Sequence, residues 1–357
     1  MPNLSVPRLL GLGTAVPATP MPQQDWSRIA RRIAPAHVDP AVIERLAQRS
    51  GIATRHCDTA DRPDQPPFYP ADPEGKGPST AQRMRRFAEV ARPMAAAAAD
   101  RALRQARVEA GRITHVVTAC CTGFEAPGPD QWLIQDLGLP ASVRRTHIGF
   151  MGCHAAVNAL AVAAALAAGD PAARVLVCCV EVCSVHLHYG DRLDRLIANT
   201  LFADGAAAAV IGAGPEDAPA LTAFQSVLLE DSVAEMAWTV GDHGFEMTLG
   251  ARVPEILGKR VGPWIREMLR SNGLASGDIG GWAIHPGGPR VIDAVLQSLE
   301  LPERAGESSR QVLRSHGNMS SATLLFIIDA MRAAGLPRPW VGMAFGPGLA
   351  GEALLLA

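Results

Sequence analysis

The chain has 357 residues, 48% of them hydrophobic and 19% charged, with a net charge of −2. It can bury a large core, or two halves sharing one, and its composition excludes a disordered chain. No basic field is available for nucleic acid or an anionic membrane, so any phosphate recognition must be local.

In chain order, residues 1–17 read as a first strand and turn, with a short apolar run at 8–12 and no signal-peptide cleavage site. Residues 24–35 and 39–50 read as helices, and 61–80, rich in Pro, Asp and Gly, as a loop. A long helix is predicted over about 81–109, kinked or interrupted at Pro93. The β-branched run 113–118 predicts a buried strand, and 131–137 a helix. The Ala-rich stretch 155–168 predicts a helix ending at Gly169-Asp170, broken by Asn158 and too short to span a bilayer. Residues 174–180 are apolar throughout, as in a sheet covered on both faces, and 204–211 form a further strand.

A change in composition at 212–220 separates two α/β halves, about 1–213 and 214–357. The second half is predicted to hold helices at 253–273, 289–299 and 322–334, and strands at 281–284, 340–345 and 352–356. The halves are not visibly similar in sequence, so duplication rests on element order. The cysteines number seven, in apolar or Gly-rich settings without disulfide-scaffold spacing, which fits a reducing, cytoplasmic location.

Chemistry concentrates at element ends. Cys153 lies in Gly149-Phe150-Met151-Gly152-Cys153-His154, at the mouth of the Ala-rich helix. A thiol there is expected to feel the helix dipole and unpaired N–H groups, both favouring the nucleophilic thiolate. By burial statistics alone a small core residue is the commoner role for such a cysteine. His285 closes a strand and opens the rigid loop His285-Pro286-Gly287-Gly288-Pro289, and Asn318 lies in His316-Gly317-Asn318-Met319-Ser320-Ser321. Each could be structural, Asn318 as a helix cap. Together Cys, His and Asn make a catalytic constellation.

These segments, with Phe345-Gly346-Pro347-Gly348, Leu201-Phe202-Ala203-Asp204-Gly205-Ala206-Ala207 and Pro127-Gly128-Pro129-Asp130, resemble the signatures of the type III polyketide synthases, the chalcone synthase-like enzymes. The resemblance runs from Gly13-Thr14-Ala15-Val16-Pro17 to the end of the chain. It implies an α/β, thiolase-like, five-layered αβαβα fold of two duplicated halves, working as a homodimer. The first half would carry the nucleophilic Cys, the second the His and Asn. It implies Cys153 as acyl-accepting nucleophile, paired with His285 as thiolate and imidazolium, with His285 and Asn318 donating to the enolate formed when malonyl-CoA loses CO₂. Acyl-CoA and malonyl-CoA are the implied partners, consumed as substrates, and no cofactor or metal is implied.

By the same resemblance Phe202 and Met247 form a gate between a CoA tunnel and the cavity. Arg45 and Arg49, one helical turn apart, face the CoA phosphates, although solvated surface charge is the plainer role. Cys121, Thr122, Ala126, Cys183, His186, Trp238 and Ser320 are expected at or near the elongation cavity. His186 and Trp238 stand where plant relatives have smaller residues and should shrink it. Ala126 replaces a Met that reaches across the dimer. His154 is expected to have a solvent or packing role. Cys178 and Cys179 are expected to be structural, and neither C-x-x-C nor H-E-x-x-H occurs. Two rival readings remain: a priming 3-ketoacyl synthase of the same fold fed by an acyl carrier protein, and a noncatalytic acyl-binding protein on a thiolase scaffold.

Overall fold

A computed structural model describes residues 5–72 and 75–357. Residues 1–4 of the predicted N-terminal run and 73–74 of the predicted loop lie outside them. The first sheet has five strands in the order Arg8–Ala15, Asp204–Gly212, Arg174–Val182, His115–Cys120, Arg144–Gly149. The second has four, in the order Leu221–Leu228, Ala350–Leu356, Trp340–Gly346, Gly281–Ile284. Read in these orders, both sheets run antiparallel, antiparallel, parallel over their first three pairings. The second repeats the first less its last strand. This shared topology is the duplication that element order implied.

Five layers follow. Helix Ala155–Gly169 and helix Thr323–Ala333 fill the space between the sheets. Helices Thr80–Ala106 and Pro129–Leu137 cover the outer face of the first sheet, and Val253–Ser271 with Pro289–Ser298 that of the second. The middle helices must be apolar all round because sheets press on both sides. That explains the Ala-rich run: Gly152–Gly169 is apolar and long enough to cross a membrane by composition, yet it is a core helix, 61% buried.

Some elements differ from expectation. Pro93 lies inside an unbroken helix, Thr80–Ala106. The lost backbone hydrogen bond is outweighed by packing of its Ala-rich face, Ala91, Ala95, Ala98, Ala99 and Ala102, on the first sheet. The approach is so close that a Cβ at Gly11 or Gly13 would strike the carbonyls of Ala102 and Ala98. Strand Arg144–Gly149 escaped the pattern because it is a largely exposed, polar edge strand. The hairpin Met236–Gly241 and Gly244–Leu249, strand Leu221–Leu228, and helices Leu193–Leu201 and Glu307–His316 were also not anticipated. The hairpin places Met247 directly across from Trp238.

Candidate active site

The duplication brings the site together. Each middle helix is preceded by a 3-10 turn, Gly152–His154 before one and Ser320–Ala322 before the other, and the two turns touch. Cys153 lies in the first, and Asn318 and Ser320 lie at the second. Both turns need left-handed backbone, with φ +77° at Gly152 and +49° at Ser320. A Cβ at Gly152 would also lie 2.5 Å from Pro347 Cδ, so only glycine fits before the nucleophile. The Gly346-Pro347 loop is thereby packed against the turn that carries Cys153.

Cys153 is buried, with its side chain at a cavity wall. Ser320 N–H donates to Asn318 Oδ1 at 2.9 Å, which leaves the Asn318 amide nitrogen free to donate. The Ser320 and Asn318 side chains lie beside Cys153, and each acts to lower its pKa. Burial nevertheless dominates, with the Glu181 charge adding to it, and pushes the Cys153 thiol up to about 12. This desolvation opposes the thiolate that the helix position favours. The cysteine sits in the 3-10 turn ahead of the helix, and desolvation outweighs the donors around it. His285 is 1% exposed, and neither ring nitrogen has a partner in the protein. Burial, then the His154 charge, pushes its imidazolium down to about 3. Burial therefore works against the charged form of each group, and no hydrogen bond joins His285 to Cys153. His285 and Asn318 stand behind the cavity surface, while Cys153 and Ser320 line it.

Cys121, Thr122, Cys183, His186, Trp238, Ser320, Phe202 and Met247 all line this cavity. Its volume is about 30 Å³, room for a water or two and no more. His186 and Trp238 both stand on its wall. Phe245 N–H donates to His186 Nδ1 at 3.0 Å, so His186 Nε2 carries the proton and donates to the Thr122 carbonyl at 2.7 Å. The ring stacks on Phe245 at 4.2 Å and meets Trp238 edge-on at 5.4 Å. Trp238 donates its indole N–H to the Cys121 carbonyl at 2.7 Å. His188 Nε2 lies 2.6 Å from the Phe245 carbonyl. Burial holds His186 at about 3 and His188 at about 4, so both are neutral braces of the wall. Among the described residues no three His, Cys, Asp or Glu side chains are grouped to hold a metal.

Ala126 is not on the wall of this cavity in its own chain. It is exposed and lines a separate groove of about 330 Å³ with Phe124 and Phe150. The segment after strand His115–Cys120 turns outward there, away from Cys153. Arg45 and Arg49 are exposed on helix Pro40–Arg49, away from the cavity lining. His154 is buried, its Nδ1 is 2.8 Å from Asn158 Oδ1, and its ring occupies the space a Cβ at Gly346 would need. Its role is packing.

Glu181 went unrecognised in the sequence. It is fully buried and accepts from Thr122 Oγ1 at 2.6 Å, Ser321 Oγ at 2.5 Å and the N–H groups of Cys121 and Thr122, each at 3.1 Å. Burial still raises its pKa. The available signal was one Glu inside the otherwise apolar run Arg174–Val182, since a buried carboxylate needs a built set of donors.

Trp238→Ala should enlarge the half-buried end of this cavity and shift products toward ones at least one acetate unit longer. Mass spectrometry of product mixtures from one starter would read it, and an unchanged distribution would remove Trp238 as a length limit.

Residues 4–215 match the family model "Chalcone and stilbene synthases, N-terminal domain", and 221–357 match the corresponding C-terminal domain. The chain is 36% identical over 369 residues to the alpha-pyrone synthesis polyketide synthase-like Pks18 of Mycobacterium tuberculosis, covering 99% of this chain and 92% of that protein. It is 30% identical to the 3,5-dihydroxyphenylacetyl-CoA synthase of Streptomyces toyocaensis, covering 100% of this chain and 91% of that one. The crystal structure of PKS-I from the brown alga Ectocarpus siliculosus superposes with a TM-score of 0.91 at 30% identity, covering 99% of this chain and 98% of that one. With both halves matched over nearly the whole of a duplicated fold, the chain belongs to the chalcone and stilbene synthase family, the type III polyketide synthases.

Proposed function

We propose that the protein takes an acyl group from acyl-CoA onto Cys153 Sγ, extends it by a small number of decarboxylative condensations with malonyl-CoA, and releases a pyrone or a resorcinol/phloroglucinol-type product. The observation that carries this is the convergence of the Asn318 and Ser320 side chains on Cys153 Sγ at a cavity wall. His285 takes the thiol proton as Sγ attacks the thioester carbonyl and keeps it, while CoA leaves as a thiolate that solvent protonates. Malonyl-CoA then loses CO₂, and the electron pair moves onto its thioester oxygen. His285 and Asn318 donate to that enolate. The enolate carbon attacks the acyl carbonyl on Cys153, forms the new C–C bond and releases the sulfur. CoA thioesters are substrates, and this sequence of steps calls for no metal or redox cofactor.

The name of the mycobacterial relative, an alpha-pyrone synthesis enzyme, supports a pyrone product, and the cavity of about 30 Å³ supports few extensions. Phe202 and Met247, both half-buried on the cavity wall, are the elements that must move for loading. Arg45 and Arg49 make no ion pair among the described residues, which supports a role in holding CoA phosphates. The halves 1–213 and 214–357 each contribute one side of the site. A homodimer is supported by Phe124, 76% exposed, and Met151, 39% exposed, beside the open edge strand Arg144–Gly149. Seven free cysteines support the reducing cytoplasm.

The test is incubation of the purified protein with malonyl-CoA and short, long and aromatic acyl-CoA starters. CO₂ release and a polyketide product are expected with at least one. Turnover only with carrier-protein thioesters would favour the priming-synthase reading, and binding without turnover the noncatalytic one.

A further inference from the structure

We propose that Arg55 is a positioning residue that couples the gate at Phe202 to the enolate donor Asn318, an inference resting on the roles given above to those two residues. Arg55 is the middle residue of the short strand Thr54–His56 and is fully buried. It makes no ion pair among the described residues, and its Nε and Nη2 have no partner. Burial is the main force lowering its pKa, opposed by the charges of Cys57 and Asp204. A buried guanidinium without a paired carboxylate is costly, so a residue needed only to fill the core would be apolar.

What the guanidinium does hold is specific. Nη1 donates to the Phe202 carbonyl at 2.6 Å and to the Asn199 carbonyl at 3.0 Å, and the group lies 5.1 Å over the Trp26 ring. The peptide groups flanking Phe202 are in turn bonded to Asn318. Ala203 N–H donates to the Asn318 carbonyl at 2.8 Å, and Asn318 N–H donates to the Leu201 carbonyl at 2.9 Å, forming a parallel bridge between Phe202 and Asn318. Gly317 permits the contact: at φ +73°, a Cβ there would press on Ala203 Cβ and the Leu201 carbonyl at 3.0 and 3.2 Å.

The strand of Arg55 is anchored to the segment leading into Asn318 as well. Ala53 N–H donates to the Arg314 carbonyl at 2.8 Å, and the His56 ring stacks on His316 at 5.8 Å. Arg55 thus sits where gate and donor share a backbone. When a starter displaces Phe202, its clamp on the Phe202 carbonyl keeps the backbone, and with it the Asn318 amide, in place.

Arg55→Lys and Arg55→Gln in the full chain test this, with folding checked by thermal melting. Two half-reactions are measured: acyl loading of Cys153 by intact mass, and CO₂ release from malonyl-CoA. Loading should stay within about twofold of wild type, while the kcat for decarboxylation falls about tenfold in the lysine variant and further in the glutamine variant, the effect of losing a charge-assisted hydrogen bond. Parallel loss of both half-reactions, no change in either, or failure of both variants to fold overturns the positioning role. A wild-type protein that neither loads nor releases CO₂ instead overturns the functional reading beneath it.

Discussion

Cys153→Ala should form no acyl-enzyme with any starter and should lose polyketide formation by at least about 10⁴-fold, the scale seen when a covalent nucleophile is removed. Two other thiols, Cys121 and Cys183, line the same cavity, so the prediction depends on why neither can substitute. Burial raises both well above the ordinary thiol value, and the nearby Glu181 charge raises them further. Cys121 is also engaged, its sulfur 3.4 Å from Glu181 Oε1 and 3.2 Å from Ser320 Oγ. Cys153 is the cysteine whose pKa both Ser320 and Asn318 act to lower, so a thiolate forming there is stabilised from two sides. Malonyl-CoA decarboxylation, which uses His285 and Asn318, should persist measurably in this variant. Intact mass after incubation with acyl-CoA, alongside CO₂ release, reads both. A labelled adduct on another cysteine, with turnover retained, would remove Cys153 from the mechanism.

The converse is expected of Asn318→Ala. Its amide nitrogen is left free because Ser320 N–H occupies Oδ1, and its backbone is fixed by the bridge to Phe202. Removing one donor from a developing oxyanion costs about 10²–10³ in kcat. Decarboxylation and condensation should fall by that factor, while loading of Cys153 is much less affected. The pair of variants therefore splits the reaction at its two halves. Equal loss of loading and decarboxylation in Asn318→Ala would mean that the side chain mainly shapes the pocket. Asn318 is 1% exposed, so a melting curve is needed to separate lost chemistry from a disturbed core.

Much of the site is legible in the chain because motif residues sit at element ends, where Gly and Pro punctuate the pattern. Cys153, His285 and Asn318 stand out this way, and the apolar runs 155–168 and 174–180 mark a middle helix and a doubly covered strand. Pro93 and the edge strand Arg144–Gly149 are the opposite case: packing on the first sheet keeps the helix whole, and an exposed strand carries no apolar period. Glu181 is a single polar letter in an apolar strand, and its meaning lies in donors contributed by residues 121, 122 and 321.

The amino-acid sequence by itself determined the family, through motifs that put a thiol, an imidazole and an amide on three separate loops. Only the tertiary structure decided the state of that chemistry. It buried Cys153 and His285, put Ala126 at the surface of its own chain, locked His186 into the wall by both ring nitrogens, and joined Phe202 to Asn318. The reason is that protonation and cavity shape depend on which groups lie within a few ångströms, and here those groups come from segments far apart in the chain.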